Sequence, residues 1–440
     1  MEVNPKDFID KHYTELPTPS FLVRERQINE NCRLNLNRLS QFNSKFRAHV
    51  KTHKTIEGTK KSLGYDLPDY HGQKHDSIVF STLKEIVEII KYQTCNQKIF
   101  VKDAIYGIPN ITTETIPRLI EISRKIERLT LMVDSLDQLE TLAKYNYTKD
   151  SDHIYWDLII KLDSGTHRAG IDFNSNYLDK VIRKIIDTEN LKLRGFYVHS
   201  GHSYNVKSLE EGELKLIEEI ETVIKGLQLI ELKFPELQYK SDKIIDDELI
   251  VSVGATPTLH SLKVNKFNPN LLKLINSLGS RLEFHAGNYT FCDLQQLSTK
   301  SIDLSNISIR VLSSVISTYP GRGNEIGEIL INAGGIALSR EVSNSFEGYG
   351  LIQDTQWYIN RISQEHGILS PQLNSNNSIT KPLDNEGSTH NGKIIELLKV
   401  GDKLQIIPNH SCITANSYSY YFILDDNDKV KDIWYPWRGW

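Results

Sequence analysis

Two short strings in this sequence carry side chains whose chemistry a folded core does not require. In Arg-Ala-His-Val-Lys-Thr-His-Lys-Thr, residues 47–55, two lysines and two histidines crowd together. A lysine partly withdrawn from water gives up its proton more readily and can serve as nucleophile or base. Lys51 and Lys54 compete for that role, and their spacing leaves the choice open, since side chains three apart on a strand face opposite ways. His49 and His53 share the face of Lys51 if the strand continues; the ordinary alternative is a solvated lysine among packed histidines. The second string is Pro-Asn-His-Ser-Cys-Ile-Thr, residues 408–414. In an extended segment His410 and Cys412 point the same way. Imidazole and thiolate are good zinc ligands, but two fall short of the usual four. Such a site keeps an open position, as a catalytic zinc requires.

Four further strings place glycines where strands should end: Asp-Ser-Gly-Thr-His-Arg-Ala-Gly (163–170), His-Ser-Gly-His-Ser-Tyr (199–204), Gly-Ala-Thr-Pro-Thr (254–258) and His-Ala-Gly-Asn-Tyr (285–289). Glycine lets backbone N–H groups close on a ligand, and small loops late in a barrel commonly cradle phosphate. Turns use the same residues for backbone reasons alone. A lysine at the first mouth and a cradle at the last two together describe a cofactor anchored at two points.

These residues need elements to hold them. Apolar, β-branched runs predict strands at 46–51, 77–82, 98–104, 129–135, 157–164, 193–199, 249–255 and 281–287. Amphipathic stretches lie between them; Leu83, Ile86, Val87 and Ile90 form one helical stripe. Eight strands alternating with helices predict a (β/α)8 TIM-like barrel over residues 17–300 of an α/β chain, rather than an open doubly wound sheet. Beyond it, strand-like runs separated by turn signals predict a C-terminal, mainly β domain over 301–440, joined by residues 1–16. The polar stretch 369–392 reads as a surface insertion or loop.

Composition narrows the function. The 440 residues are 39% hydrophobic and 25% charged, with a net charge of −4, so nothing electrostatic points to nucleic acid. No apolar run is long enough to cross a bilayer, and the first 17 residues lack the apolar core of a secretory signal. Four scattered cysteines (Cys32, Cys95, Cys292 and Cys412) do not make a disulfide framework. A cytoplasmic protein with no membrane partner is expected.

In order along the chain, Thr-Pro-Ser-Phe-Leu-Val (18–23), the 47–55 string, the four glycine strings and 408–414 resemble the eukaryotic D-serine dehydratases. That family lies within the pyridoxal-phosphate enzymes of alanine-racemase fold. The resemblance implies a carbon–nitrogen lyase converting D-serine to pyruvate and ammonia, acting on D-threonine as well, with pyridoxal 5'-phosphate and Zn2+ as cofactors. It assigns the cofactor-bearing, catalytic lysine to Lys51 rather than Lys54. It implies phosphate contacts at Tyr204, Thr256, Gly287 and Asn288, with Tyr197 lining the cofactor, Arg168 facing its ring, and zinc on His410 and Cys412. A homodimer is implied too. Ala48 stands where the family usually has proline, and Asn332 where aspartate is common. Neighbouring readings are a D-threonine aldolase, which would release glycine and an aldehyde; a racemase, which needs a second acid/base; and a non-catalytic pyridoxal-phosphate carrier.

Overall fold

Eight strands pair in parallel, each with its successor. In chain order they follow β1 (Ser20–Arg24): β2 (Lys45–His49), β3 (Ser77–Phe80), β4 (Asp103–Tyr106), β5 (Arg128–Val133), β6 (Trp156–Lys161), β7 (Leu191–Tyr197), β8 (Ile250–Val253) and β9 (Leu282–Ala286). β9 returns to β2, with Ala286 opposite Ala48, and closes the barrel. This is a computed structural model, and it describes residues 3–145, 154–239, 241–245, 248–263, 267–372, 387–390 and 393–440.

The intervening helices form for the expected reason. Asn176–Asp187 buries Leu178, Val181, Ile182, Ile185 and Ile186, a stripe of helical period. In Leu83–Asn96 the buried stripe is Leu83, Ile86, Ile89 and Ile90, while Val87 of the expected stripe is exposed. One expected strand is shifted. The apolar run at 98–102 forms no ladder; Phe100 and Val101 are buried, and the Gln93 side chain accepts both their N–H groups, at 2.9 and 2.7 Å. Pairing begins only at Asp103. A side chain replaced the neighbouring strand as acceptor, which a hydrophobic pattern does not reveal.

The second set of strands comprises β10 (Ile309–Tyr319), β11 (Glu328–Ile331), β12 (Gly350–Ile352), β13 (Trp357–Ile362), β14 (Gly367–Pro371), β15 (Gly387–His390), β16 (Lys393–Glu396), β17 (Lys403–Pro408), β18 (Tyr421–Leu424) and β19 (Val430–Trp434). Nine of the strands form one sheet, ordered β11-β14-β13-β12-β17-β10-β1-β18-β19, and β15 pairs with β16 alone. β1 runs antiparallel to β10 and parallel to β18. Its core gathers Leu16, Leu22, Leu312, Phe422, Leu424, Val430 and Ile433. Asn332 joins this sheet to the N-terminal segment: Nδ2 donates to the Thr18 carbonyl at 3.1 Å, while Oδ1 accepts from Ser313 and Ser314. An aspartate could not make the first of these bonds.

Chain contacts divide the molecule into Met1–Asn31 with Asn288–Arg438, and Cys32–Gly287 with Gly439–Trp440. The expected boundaries at 17 and 300 differ from this division, because β1 is a strand of the large sheet and not of the barrel. Most of the polar stretch 369–392 lies outside the described residues.

Candidate active site

The barrel places its chemistry where its strands end. β2 stops at His49, so the face shared by His49, Lys51 and His53 does not continue; Lys51 to His53 form a turn, and Lys54 has a left-handed backbone with φ 53. The turn separates the two lysines. Lys54 Nζ lies 3.2 Å from Glu85, whose side chain is wholly buried, so its charge is answered inside the fold. Lys51 is exposed at the strand end. His53 turns away as well: its buried Nδ1 accepts the Thr55 N–H at 3.2 Å beside the start of helix Ile56–Ser62, and burial lowers its pKa to about 3.

His49 remains at the mouth. Its Nε2 is 2.9 Å from the Tyr197 hydroxyl, and the Tyr197 ring stacks on His285 at 4.2 Å and 9°. His285 Nδ1 is 3.0 Å from Ser252 Oγ, which donates to Glu283 at 2.8 Å. Glu283 in turn grips Arg47 through two 2.8 Å bonds, and Asp103 binds both Arg47 and Arg194. Burial works against these charges, but Asp103 and Glu283 hold the Arg47 guanidinium above its usual range. Side chains of β2, β4, β7, β8 and β9 thus join in one network.

The field at this mouth is positive. Lys161, buried at the end of β6, has its pKa lowered to about 8, first by burial and then by the charges of Arg168 and Lys51. His199 Nδ1 donates to the Gly254 carbonyl at 2.8 Å, so Nδ1 carries the proton. Burial, then Lys51, lowers its pKa to about 3. Arg168 is exposed on a loop organised by Asp163, which accepts the N–H groups of Gly165, Thr166 and His167. Glu219, from helix Leu209–Lys233, accepts the Ser200 N–H at 2.7 Å and lies 3.3 Å from Thr258 Oγ1. It therefore braces the loops after β7 and β8, and burial raises its pKa to about 8.

Of the residues expected to meet phosphate, Tyr204 is half-buried in a short 3-10 turn, Thr256 opens helix Thr256–Ser261, and Gly287 is buried after β9. A Cβ on Gly287 would lie 2.7 Å from that of His49, so close approach requires glycine there. Asn288 is buried, and its side chain binds Asp293 and Ser411. Among the described residues nothing accepts its main-chain N–H. The Lys161 ammonium likewise makes no hydrogen bond among them, and His49 Nδ1 and His285 Nε2 are buried without partners. Unanswered cations, an open N–H and flat rings fit an anionic aromatic cofactor.

The His-Ser-Cys string sits in the sheet-bearing unit. His410 is extended, but Ser411 begins a short helix to Ala415, so the extended i, i+2 geometry expected there is replaced by a strand-to-helix turn. The two side chains meet nonetheless. Burial would lower the His410 pKa, yet the hydrogen bond and charge of Cys412, then Asp293 and Glu341, raise it to about 9. His410 Nδ1 is buried without a hydrogen bond, 3.7 Å from a Glu341 oxygen. Imidazole, thiol and a nearby carboxylate fit the donor preferences of zinc. Among the described residues no group of three or more such side chains is arranged to hold a metal by itself.

Lys161, Glu219 and Asp293 escaped the sequence reading. Lys161 directly precedes the Asp163 loop and could have been noticed; a lone glutamate in an amphipathic helix gives no signal.

Residues 308–424 match the family described as a putative serine dehydratase domain, and residues 23–236 match the alanine racemase N-terminal domain. A D-serine dehydratase of Schizosaccharomyces pombe is 36% identical over 439 residues, covering 99% of this chain and 95% of that protein. The chain belongs to the D-serine dehydratase family. The D-serine dehydratase of Saccharomyces cerevisiae is 35% identical, with 97% of each chain covered. Among solved structures, the D-threo-3-hydroxyaspartate dehydratase of Delftia sp. HT23 superposes with a TM-score of 0.76 at 21% identity, covering 98% of this chain and 100% of that one. The fold is that of alanine racemase, and the family makes this chain an enzyme, a lyase acting on a small D-amino acid. Pyridoxal phosphate is the cofactor such families imply. Among the described residues no helix is long and apolar enough to cross a membrane.

Proposed function

We propose that this enzyme eliminates water from D-serine, and from D-threonine, to release an enamine that takes up water again on hydrolysis to give the 2-oxo acid and ammonia, using pyridoxal phosphate held by Lys51 and zinc held by His410 and Cys412. The observation that carries the lysine assignment is the ion pair of Lys54 with buried Glu85, which leaves Lys51 as the strand-end amine open to a ligand. Support for the metal comes from a relative. Solved forms of D-threo-3-hydroxyaspartate dehydratase include variants at a histidine and at a cysteine two positions later, the second described as metal-free. His410 and Cys412 have that spacing.

When bound, the pyridoxal ring is an electron sink for the Cα carbanion, and zinc is a Lewis acid toward the β-hydroxyl. The chain's own residues do the remaining work. Lys51 takes the Cα proton. Tyr204, Thr256 and the main chain at Gly287 and Asn288 hold the phosphate. Arg168 faces the ring, and Tyr197, fixed between His49 and His285, lines it. Lys161 adds positive charge that favours an anionic ligand. The enzyme works as a homodimer in the cytoplasm.

The test is incubation with D-serine and L-serine, with and without a chelator, followed by measurement of pyruvate. Pyruvate from D-serine alone, abolished by chelation and restored by zinc, is expected. Glycine and an aldehyde from D-threonine would mean an aldolase instead. Turnover of D-serine undiminished after complete zinc removal would remove the metal's role.

A further inference from the structure

Three buried side chains close a triangle beneath the His-Ser-Cys turn. Asn288 Nδ2 donates to Asp293 Oδ2 at 2.8 Å. Ser411 Oγ lies 2.7 Å from Asn288 Oδ1 and 3.0 Å from Asp293 Oδ2. The Ser411 N–H donates to the same Asp293 oxygen at 2.9 Å, and the other oxygen accepts the Gln296 N–H, also at 2.9 Å. One carboxylate thus caps the starts of two short helices, Leu294–Ser298 and Ser411–Ala415. None of the three side chains is more than 4% exposed, so water cannot replace a lost partner. Asn409 pins the preceding residue, its Nδ2 donating at 2.9 Å to the carbonyls of Glu341 and Gly348.

We propose that Asn288, Asp293 and Ser411 are positioning residues that set zinc affinity at His410 and Cys412 and couple it to phosphate bound at the Asn288 N–H. This rests on the metal and phosphate assignments made above. Ser411 stands between the two ligands, so whatever fixes its main chain and hydroxyl fixes the turn from which both project. Asn288 immediately follows Gly287, and its side chain is engaged with Asp293 and Ser411. Its unaccepted main-chain N–H is what it offers an anion. An anion held there orders Asn288, and the triangle carries that order to Ser411. Linkage makes the effect reciprocal: phosphate tightens zinc, and zinc tightens phosphate, by the same factor.

The test uses the full chain, stripped of metal and titrated with zinc against a chromophoric chelator, with and without saturating inorganic phosphate. The wild-type chain should bind one zinc and bind it several-fold tighter with phosphate present. Ser411→Ala should weaken zinc by about 10- to 100-fold, the usual cost of removing an outer partner, and lose the phosphate effect. Ser411→Thr, which keeps the hydroxyl, should recover both. Asp293→Asn should resemble Ser411→Ala; if it fails to fold, the two serine variants decide. Equal zinc affinity in wild type and Ser411→Ala overturns the positioning role. A phosphate effect that persists undiminished in Ser411→Ala overturns the coupling and leaves simple charge attraction. A wild-type chain that binds no zinc sinks the metal assignment beneath the proposal, a different result from either.

Discussion

At the scale of single residues, proton positions follow from counting donors. Glu283, gripped by Arg47, is an acceptor, so the Ser252 proton points to it. Ser252 Oγ must then accept from His285, which puts the imidazole proton on Nδ1 and a lone pair on buried Nε2. Burial, followed by the charge of His49, keeps the His285 pKa well below its usual value, so the ring is neutral. His285 therefore supports Tyr197 as a flat, uncharged plate. His285→Leu should weaken pyridoxal-phosphate binding by up to about tenfold, the worth of a stacked aromatic pair, as read by equilibrium dialysis. The two lysines should separate cleanly. Lys51→Ala should lose the absorbance band of the lysine-bound cofactor. Lys54→Ala should keep that band but lose about 3 kcal/mol of stability in denaturant unfolding, because Glu85 is left buried and unpaired. A band lost in Lys54→Ala and kept in Lys51→Ala would reverse the assignment.

At the scale of elements, a few backbone positions in the barrel admit no side chain. Gly287 is one, and Gly195 is another: its φ is +151°, and a Cβ there would fall 1.7 Å from the Ile250 carbonyl oxygen. Gly195 lies where the β6–β7 register shifts, so the irregularity and the residue belong together. Gly287→Ala must push against the end of β2, two residues before Lys51. Turnover should fall by about 10²-fold, as an ångström-scale displacement of a group at the site produces, and the overpacking should lower stability by about 1–3 kcal/mol. Unchanged kcat in a folded Gly287→Ala chain would show that the strand end tolerates the shift.

At the scale of the whole molecule, buried titratable groups set the pH range of stability. Glu219 has its pKa raised by burial from 4.5 to about 8, so the folded chain holds a proton the unfolded chain has released. That contribution is complete below about pH 4.5 and is lost as pH rises through about 8. His53 and His199 have theirs lowered by burial from 6.5 to about 3. Their contribution is present above 6.5 and is lost as pH falls toward 3, where the unfolded chain takes up protons first. Thermal unfolding followed across pH should show stability falling on both sides. Glu219→Gln should flatten the fall in stability between about pH 4.5 and 8 and leave the loss below about pH 4.5 unchanged. An alkaline limb identical in both proteins would assign it to another group.

Much was legible in the chain itself because period and glycine placement are local properties. Alternating apolar runs and helical stripes determined the barrel, the later β strands and the positions of the mouth loops, and the motif strings pointed to the family. Partners distant in sequence were not legible. Nothing near Lys54 announces Glu85, nothing near Ser411 announces Asn288 and Asp293, and the membership of β1 in the large sheet depends on strands nearly 300 and 400 residues away. Only the tertiary structure decided which lysine is neutralised, where β2 ends, and what holds the His-Ser-Cys turn. The reason is that hydrogen bonds and ion pairs depend on distance in space, which a one-dimensional pattern does not encode.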